Sequence, residues 1–171
     1  MGPRQPSGRG RPRRAIAHLR ARLITIGRFK SGAEGTLFAQ YNARLRPPLD
    51  LTELPEATGT PPEARKREGA AILTALPHNA LLIALDLGAG APSSEALAEL
   101  ATRWQEVARP ICFAIGGAEG LDTAITQRAD HRLSLGPLTW PHLLVRALLA
   151  EQLFRAQCIR ANHPYHRAWR P

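Results

Sequence analysis

Two short apolar runs constrain this chain more than any other feature. Ala80-Leu81-Leu82-Ile83-Ala84-Leu85, closed by Asp86, and the run from Pro110 to Ile115 carry no polar alternation. They have the length of strands, and a strand that is apolar at every position has to be covered on both faces. Three weaker strand signals accompany them. Leu23-Ile24-Thr25-Ile26 is closed by Gly27, Leu49 to Leu54 alternates at period two, and His131 to Leu135 ends at Gly136-Pro137. Helical segments lie between the strands. Glu34 to Leu45 places Leu37, Phe38, Tyr41 and Leu45 on one face and is stopped by Pro47-Pro48. Thr60 caps a helix with proline in its first turn, running toward Leu76. Ser93-Ser94-Glu95 opens a helix to about Val107, with Leu97, Leu100 and Trp104 inward. Asp122 caps a short helix through Ala129, and Pro141 opens the last one, through about Ile159. Strands alternating with helices predict an α/β fold, a parallel sheet with helices on both faces. Ligands in such folds sit beyond the carboxyl ends of the strands. The loops after Leu85, Ile115 and Leu135 are therefore the candidate ligand loops, and all three carry glycine, which lets backbone approach a ligand.

At 171 residues and 44% hydrophobic, the chain suits one domain with a real core. No apolar run is long enough to cross a bilayer, and the basic start lacks the apolar segment of a secretory signal. A soluble, cytoplasmic protein with no membrane partner is expected. The formal charge of +9 is unevenly placed, because seven arginines ahead of Leu23 stand without an acid among them. Residues 1–20, rich in Gly, Pro and Arg, are expected to form a basic, disordered extension to a domain spanning 21–171. RNA binding and simple solubilisation are both open roles for it. A second basic cluster, the tail 160–171, combines Arg160, Arg167 and Arg170 with His163, His166, Tyr165 and Trp169; Arg155 lies just ahead, and no acid follows Glu151. Arginine without counter-charge attracts polyanions, and interleaved aromatics stack on bases. Cys112 and Cys158 have no metal-ligand spacing, so they are expected to be buried, reduced thiols, with no metal site.

Taken singly, the polar motifs are weak. Gly116-Gly117-Ala118-Glu119-Gly120 is neither a Walker A loop nor a dinucleotide fingerprint, and alone would be a tight strand-to-helix turn. Asp86, at a strand end, suits contact with a ribose or a metal, or a structural cap, equally. His142 and Arg146 lie one helical turn apart, so both can point at one site. Cys112, inside an apolar strand, is a poor nucleophile, and no nucleophilic triad is present.

The joint order is far more specific. Phe113-Ala114-Ile115-Gly116-Gly117-Ala118-Glu119-Gly120-Leu121 is followed by Leu133-Ser134-Leu135, then by Leu138-Thr139-Trp140-Pro141-His142-Leu143-Leu144-Val145-Arg146. Leu149 to Ala156 and the ending Asn162-His163-Pro164-Tyr165-His166-Arg167 complete the series. This pattern resembles the RlmH family of the SPOUT class, bacterial 23S ribosomal RNA pseudouridine N3-methyltransferases. The resemblance runs from about Arg22 to Arg167, strong after Ile111 and loose before it. Ala118 stands where the family commonly has proline, and Phe154 where it often has tyrosine.

The resemblance implies a C-terminal trefoil knot of the SPOUT type, a homodimer, and S-adenosyl-L-methionine as cofactor. By resemblance the cofactor is held by Leu85, by Gly116 and Gly117, and by Leu135, Gly136, Pro137, Leu138, Thr139 and Trp140. The implied reaction is methyl transfer to N3 of a pseudouridine in 23S rRNA on the large subunit or the assembled ribosome. The imide must lose a proton, for which His142, His163, His166 and Tyr165 are the candidates; histidine titrates nearest neutrality. Arg146 or Arg167 would stabilise the anionic base. Catalytic roles are thus expected at His142, Arg146, Tyr165 and His166, and RNA binding at Arg155, Asn162, His163 and Arg167. The competing readings are a ribosome-binding assembly factor without catalysis, and a SPOUT methyltransferase with another RNA target.

Overall fold

The computed structural model describes residues 19–167. The expectation for residues 1–18, and the assignments to Trp169 and Arg170, fall outside them. Five strands form one sheet: β1 (Ala21–Ile26), β2 (Asp50–Leu54), β3 (Leu81–Leu85), β4 (Ile111–Ile115) and β5 (His131–Leu133). The order is β2-β1-β4-β3-β5 and every pairing is parallel. Five helices alternate with the strands: α1 (Ala33–Asn42), α2 (Pro61–Ala75), α3 (Ser94–Glu106), α4 (Thr123–Arg128) and α5 (His142–Arg160).

Strand periodicity divides the core in two. Leu23, Phe113 and Ile83 stand side by side in register and face α1, α3 and α5, where Phe38, Leu97, Trp104, Leu149 and Leu153 meet them. Ile24, Ala114 and Ala84 form the neighbouring row and face α2 and α4, packing with Ile72 and Ile125. Each fully buried Leu, Ile or Phe contributes about 1.5–3 kcal/mol. Both apolar runs therefore lie in the sheet's interior, as their composition requires. Cys112 and Cys158 are buried free thiols. Among the described residues no helix is long and apolar enough to cross a membrane.

Local chemistry sets the boundaries. Thr60 and Glu63 form a reciprocal capping box at the start of α2. Ser93 and Asp122 accept the N–H groups of Ala96 and Ala124 to open α3 and α4. α1 ends at Asn42, three residues short of the expected Leu45, because the Asn42 amide leaves the helix to bond both the N–H and the carbonyl of Leu49. β5 stops at Leu133, two residues early, because Ser134 bends the chain: its hydroxyl engages the carbonyl and N–H of Gly136, which has φ +110°. Leu19, two residues ahead of β1, is buried in the core.

Candidate active site

The carboxyl ends of β3, β4 and β5 enclose a pocket of about 230 Å3. Leu85, Asp86 and Leu87 line one side, Ile115 to Ala118 with Gly120 and Leu121 another, and Leu133 to Gly136 with Leu138, Thr139, Trp140, His142 and Val145 close it. The three glycine-bearing loops therefore meet at one place. Of the nine expected cofactor residues, only Pro137 is not on the lining. The outer rim is apolar yet exposed: Leu138 is 64% accessible and Trp140 38%.

Gly116 and Gly117 are required by the packing of their own loop. A Cβ on Gly116 would lie 2.4 Å from the Gly120 carbonyl oxygen, and one on Gly117 would press on the Glu68 carboxylate and Ile26. The loop folds onto itself through a bond from the Gly120 N–H to the Gly117 carbonyl of 3.1 Å, and glycine permits that closure. Asp86, on the rim, is held by Arg132, whose Nε donates to it at 2.8 Å, and caps the Gly88 N–H.

Beside the pocket, at the end of β1, several charged groups converge. Arg146 is wholly buried, at 0% exposure. It donates to Glu53 (3.0 Å) and to the carbonyls of Ile26 (2.7 Å) and Gly27 (3.0 Å), and its guanidinium packs 4.6 Å from the Phe29 ring centroid. Glu53 also accepts the Phe29 N–H at 2.7 Å. Glu68, 8% exposed, accepts the Ala57 N–H. His142 is the first residue of α5 and faces the pocket. Burial pushes its imidazole below the ordinary range, and the Arg146 charge adds to this; Glu56 and Glu68 oppose it. At neutral pH the ring is therefore the uncharged form, able to take a proton.

The tail lies elsewhere. Asn162, with φ +52°, ends α5 in the left-handed conformation that asparagine tolerates, and the His163 N–H caps the Cys158 carbonyl at 2.8 Å. The chain then turns back along α5. Tyr165 donates its hydroxyl to Glu151 at 2.9 Å and stacks edge-on against Phe154. Arg155 pairs with the same Glu151, and His166 contacts Glu95 at 2.8 Å. Arg167 is exposed. None of these residues lines the pocket of its own chain. Burial and the Glu151 and Tyr41 contacts raise the Tyr165 pKa well above the ordinary phenol range.

A family profile described as "Predicted SPOUT methyltransferase" matches residues 19–166. The chain belongs to the SPOUT methyltransferase family. A Gluconacetobacter diazotrophicus protein named ribosomal RNA large subunit methyltransferase H is 55% identical over 150 residues, 88% of this chain and 99% of that one. Its namesake from Acidiphilium cryptum is 57% identical over 152 residues, 89% and 96% of the two chains. Among solved structures, a probable methyltransferase from Bordetella pertussis aligns with TM-score 0.51 at 18% identity, over 80% of this chain and 93% of that one. A probable methylase family protein from Haemophilus influenzae aligns with TM-score 0.53 at 13% identity, over 88% and 72%. Both share the fold.

Within this SPOUT domain, sequence reasoning brought the three loops and His142 together but missed the carboxylates. Glu53 and Glu56 lie at the end of an edge strand and just beyond it, and Glu68 lies on α2. Only the charge of Arg146, in an otherwise apolar helix face, hints that a distant acid must balance it.

Proposed function

We propose that the protein transfers a methyl group from S-adenosylmethionine to N3 of a pseudouridine in 23S ribosomal RNA. The observation that carries this reading is the pocket built by the β3, β4 and β5 loops in a chain matching ribosomal RNA large subunit methyltransferases H along nearly their full length. The donor set fits the cofactor: leucine walls for adenine, loop backbone for its polar edge, and Asp86 and His142 as the charged or titratable groups on the lining. S-adenosylmethionine supplies an electrophilic methyl group on a sulfonium. The protein's own work is to hold the two reactants in line and to remove the imide proton. His142, neutral and facing the pocket, is the acceptor. Tyr165 acts through the nucleotide, by stacking or hydrogen bonding, and not as a base.

The apolar rim at Leu138 and Trp140 suits a second copy of the chain, with Leu144 and Leu148 on α5 extending the surface. A homodimer closes the pocket from outside and brings the partner's tail to it. Arg155, Asn162, His163, His166 and Arg167 then grip the RNA backbone and the target base. A C-terminal trefoil knot, the ribosome as substrate and the cytoplasm as location belong to the same reading.

Methyl transfer from labelled cofactor to ribosomes lacking this modification, with mass spectrometry of the digested RNA, tests the proposal. Label on N3 of a pseudouridine of 23S RNA is the expected result. Cofactor binding without such label overturns the substrate, and absence of cofactor binding overturns the activity.

A further inference from the structure

The identity of the group that controls His142 follows from the geometry around Gly27. His142 Nε2, an Arg146 terminal nitrogen and Glu56 Oε1 all approach one point, the place a Gly27 side chain would occupy, at 3.4, 3.5 and 2.9 Å. Gly27 itself has φ +86°, so this crossing of β1 with α5 is fixed by backbone that other residues rarely adopt.

We propose that Arg146 is a positioning residue for methyl transfer: its guanidinium pins the end of β1 to α5 and sets a permanent positive charge beside His142, while touching neither cofactor nor RNA. The inference rests on the reading of His142 as proton acceptor. Arg146 has no exposed surface and is absent from the pocket lining, so it cannot contact a substrate. Its two terminal nitrogens hold Glu53 and the carbonyls of Ile26 and Gly27, joining residues 120 positions apart. Arginine keeps its charge at any working pH. Nor is the group there for stability alone. Its Nε is buried without an acceptor among the described residues, and a buried ion pair is commonly matched or bettered by apolar side chains of similar volume. What apolar packing would not supply is the charge.

The imidazole is in balance between opposing groups. From α5, the helix's own positive end and Arg146 disfavour its protonation. From the loop after β2 and from α2, Glu56 and Glu68 favour it. Glu53 neutralises Arg146 in part. Burial, the largest influence on the ring, remains when the guanidinium is removed, but the one charge that adds to it is gone, so the ring becomes easier to protonate.

The test uses the full-length protein with carbon-13 in its histidine rings, His142 being assigned by loss of its signal in H142Q. In R146M/E53Q, which strands no unpaired charge, the His142 midpoint should rise by about half a pH unit or more. The acid limb of the kcat profile should move up with it. Affinity for S-adenosylhomocysteine, read by calorimetry, should change less than about twofold. E53Q alone should move the midpoint the other way, because Arg146 then acts with less compensation, and R146Q/E53Q, a second pair that strands no charge, keeps the test alive if R146M/E53Q does not fold. Unmoved midpoints, or a loss of S-adenosylhomocysteine binding beyond about tenfold, would overturn the proposal. If H142Q keeps the acid limb, the assignment of His142 as acceptor fails instead, and the midpoints still judge Arg146.

Discussion

The two ends of α5 carry the same kinds of residue, histidine and arginine, in opposite settings. At the first turn, Arg146 is buried and its bonds run to the ends of β1 and β2, with His142 beside it on the pocket wall. Past the last turn, His163 and Arg167 are exposed, and Tyr165 and His166 rest on Glu151 and Glu95. The first end is anchored by distant, interior partners; the second is tied by surface contacts that a stronger ligand can replace. A buried charge network holds one geometry because every alternative strands a charge. Surface pairs such as His166 with Glu95 are weak because water screens them, so the tail can be re-used at low cost.

That contrast can be broken experimentally. Removing residues 162–171 should abolish methyl transfer, a loss of about 100-fold or more as expected for groups that position a substrate, while the unfolding midpoint moves little. Full activity of the truncated chain would remove the tail from the site. Gly116→Ala comes next. A methyl group 2.4 Å from the Gly120 carbonyl oxygen must open the loop, and cofactor affinity by calorimetry should fall by about tenfold or more. An unchanged affinity would show that the loop's closure is irrelevant to the pocket. Arg146→Met, besides its effect on His142, lowers stability. With Glu53 left without its cation and two carbonyls without a donor, urea unfolding should show a loss of about 3 kcal/mol. A loss no greater than that of a surface arginine would erase the difference between the two ends. Tyr165→Phe should be the mildest for folding, about 1 kcal/mol for one lost hydroxyl contact. A change beyond about 2 kcal/mol would mean that the tail is structural after all.

The sequence shows most plainly those parts whose physics is local. β3 and β4 are legible because apolar residues at every position leave no other burial geometry. α2, α3 and α4 are legible because Thr60, Ser93 and Asp122 are helix caps. The three pocket loops follow from the strands, since a parallel sheet gathers its carboxyl ends. Less legible is whatever depends on a distant partner. β5 is two residues shorter than its apolar pattern because Ser134 bonds Gly136. Arg146 shares a face with His142, as spacing indicates, yet its partners are 93 and 120 positions away, and no periodicity reports them. The tail's motif announces chemistry but not address: nothing in Asn162 to Arg167 says whether those side chains serve their own pocket or another copy's.

The sheet order carries a consequence for synthesis. β1 leaves the ribosome ahead of the other four described strands and lies between β2 and β4. Its β4 edge stays open until residue 115 has emerged, and α5, which covers the Leu23 side of the sheet, comes last of all. The nascent chain thus carries Leu23, Ile24 and Ile26 with no complete shelter for most of its elongation, and the closing bonds from Arg146 to Ile26 and Gly27 form only at the end. A chain so arranged folds late and as a whole, and truncated translation products should be aggregation-prone rather than partly native.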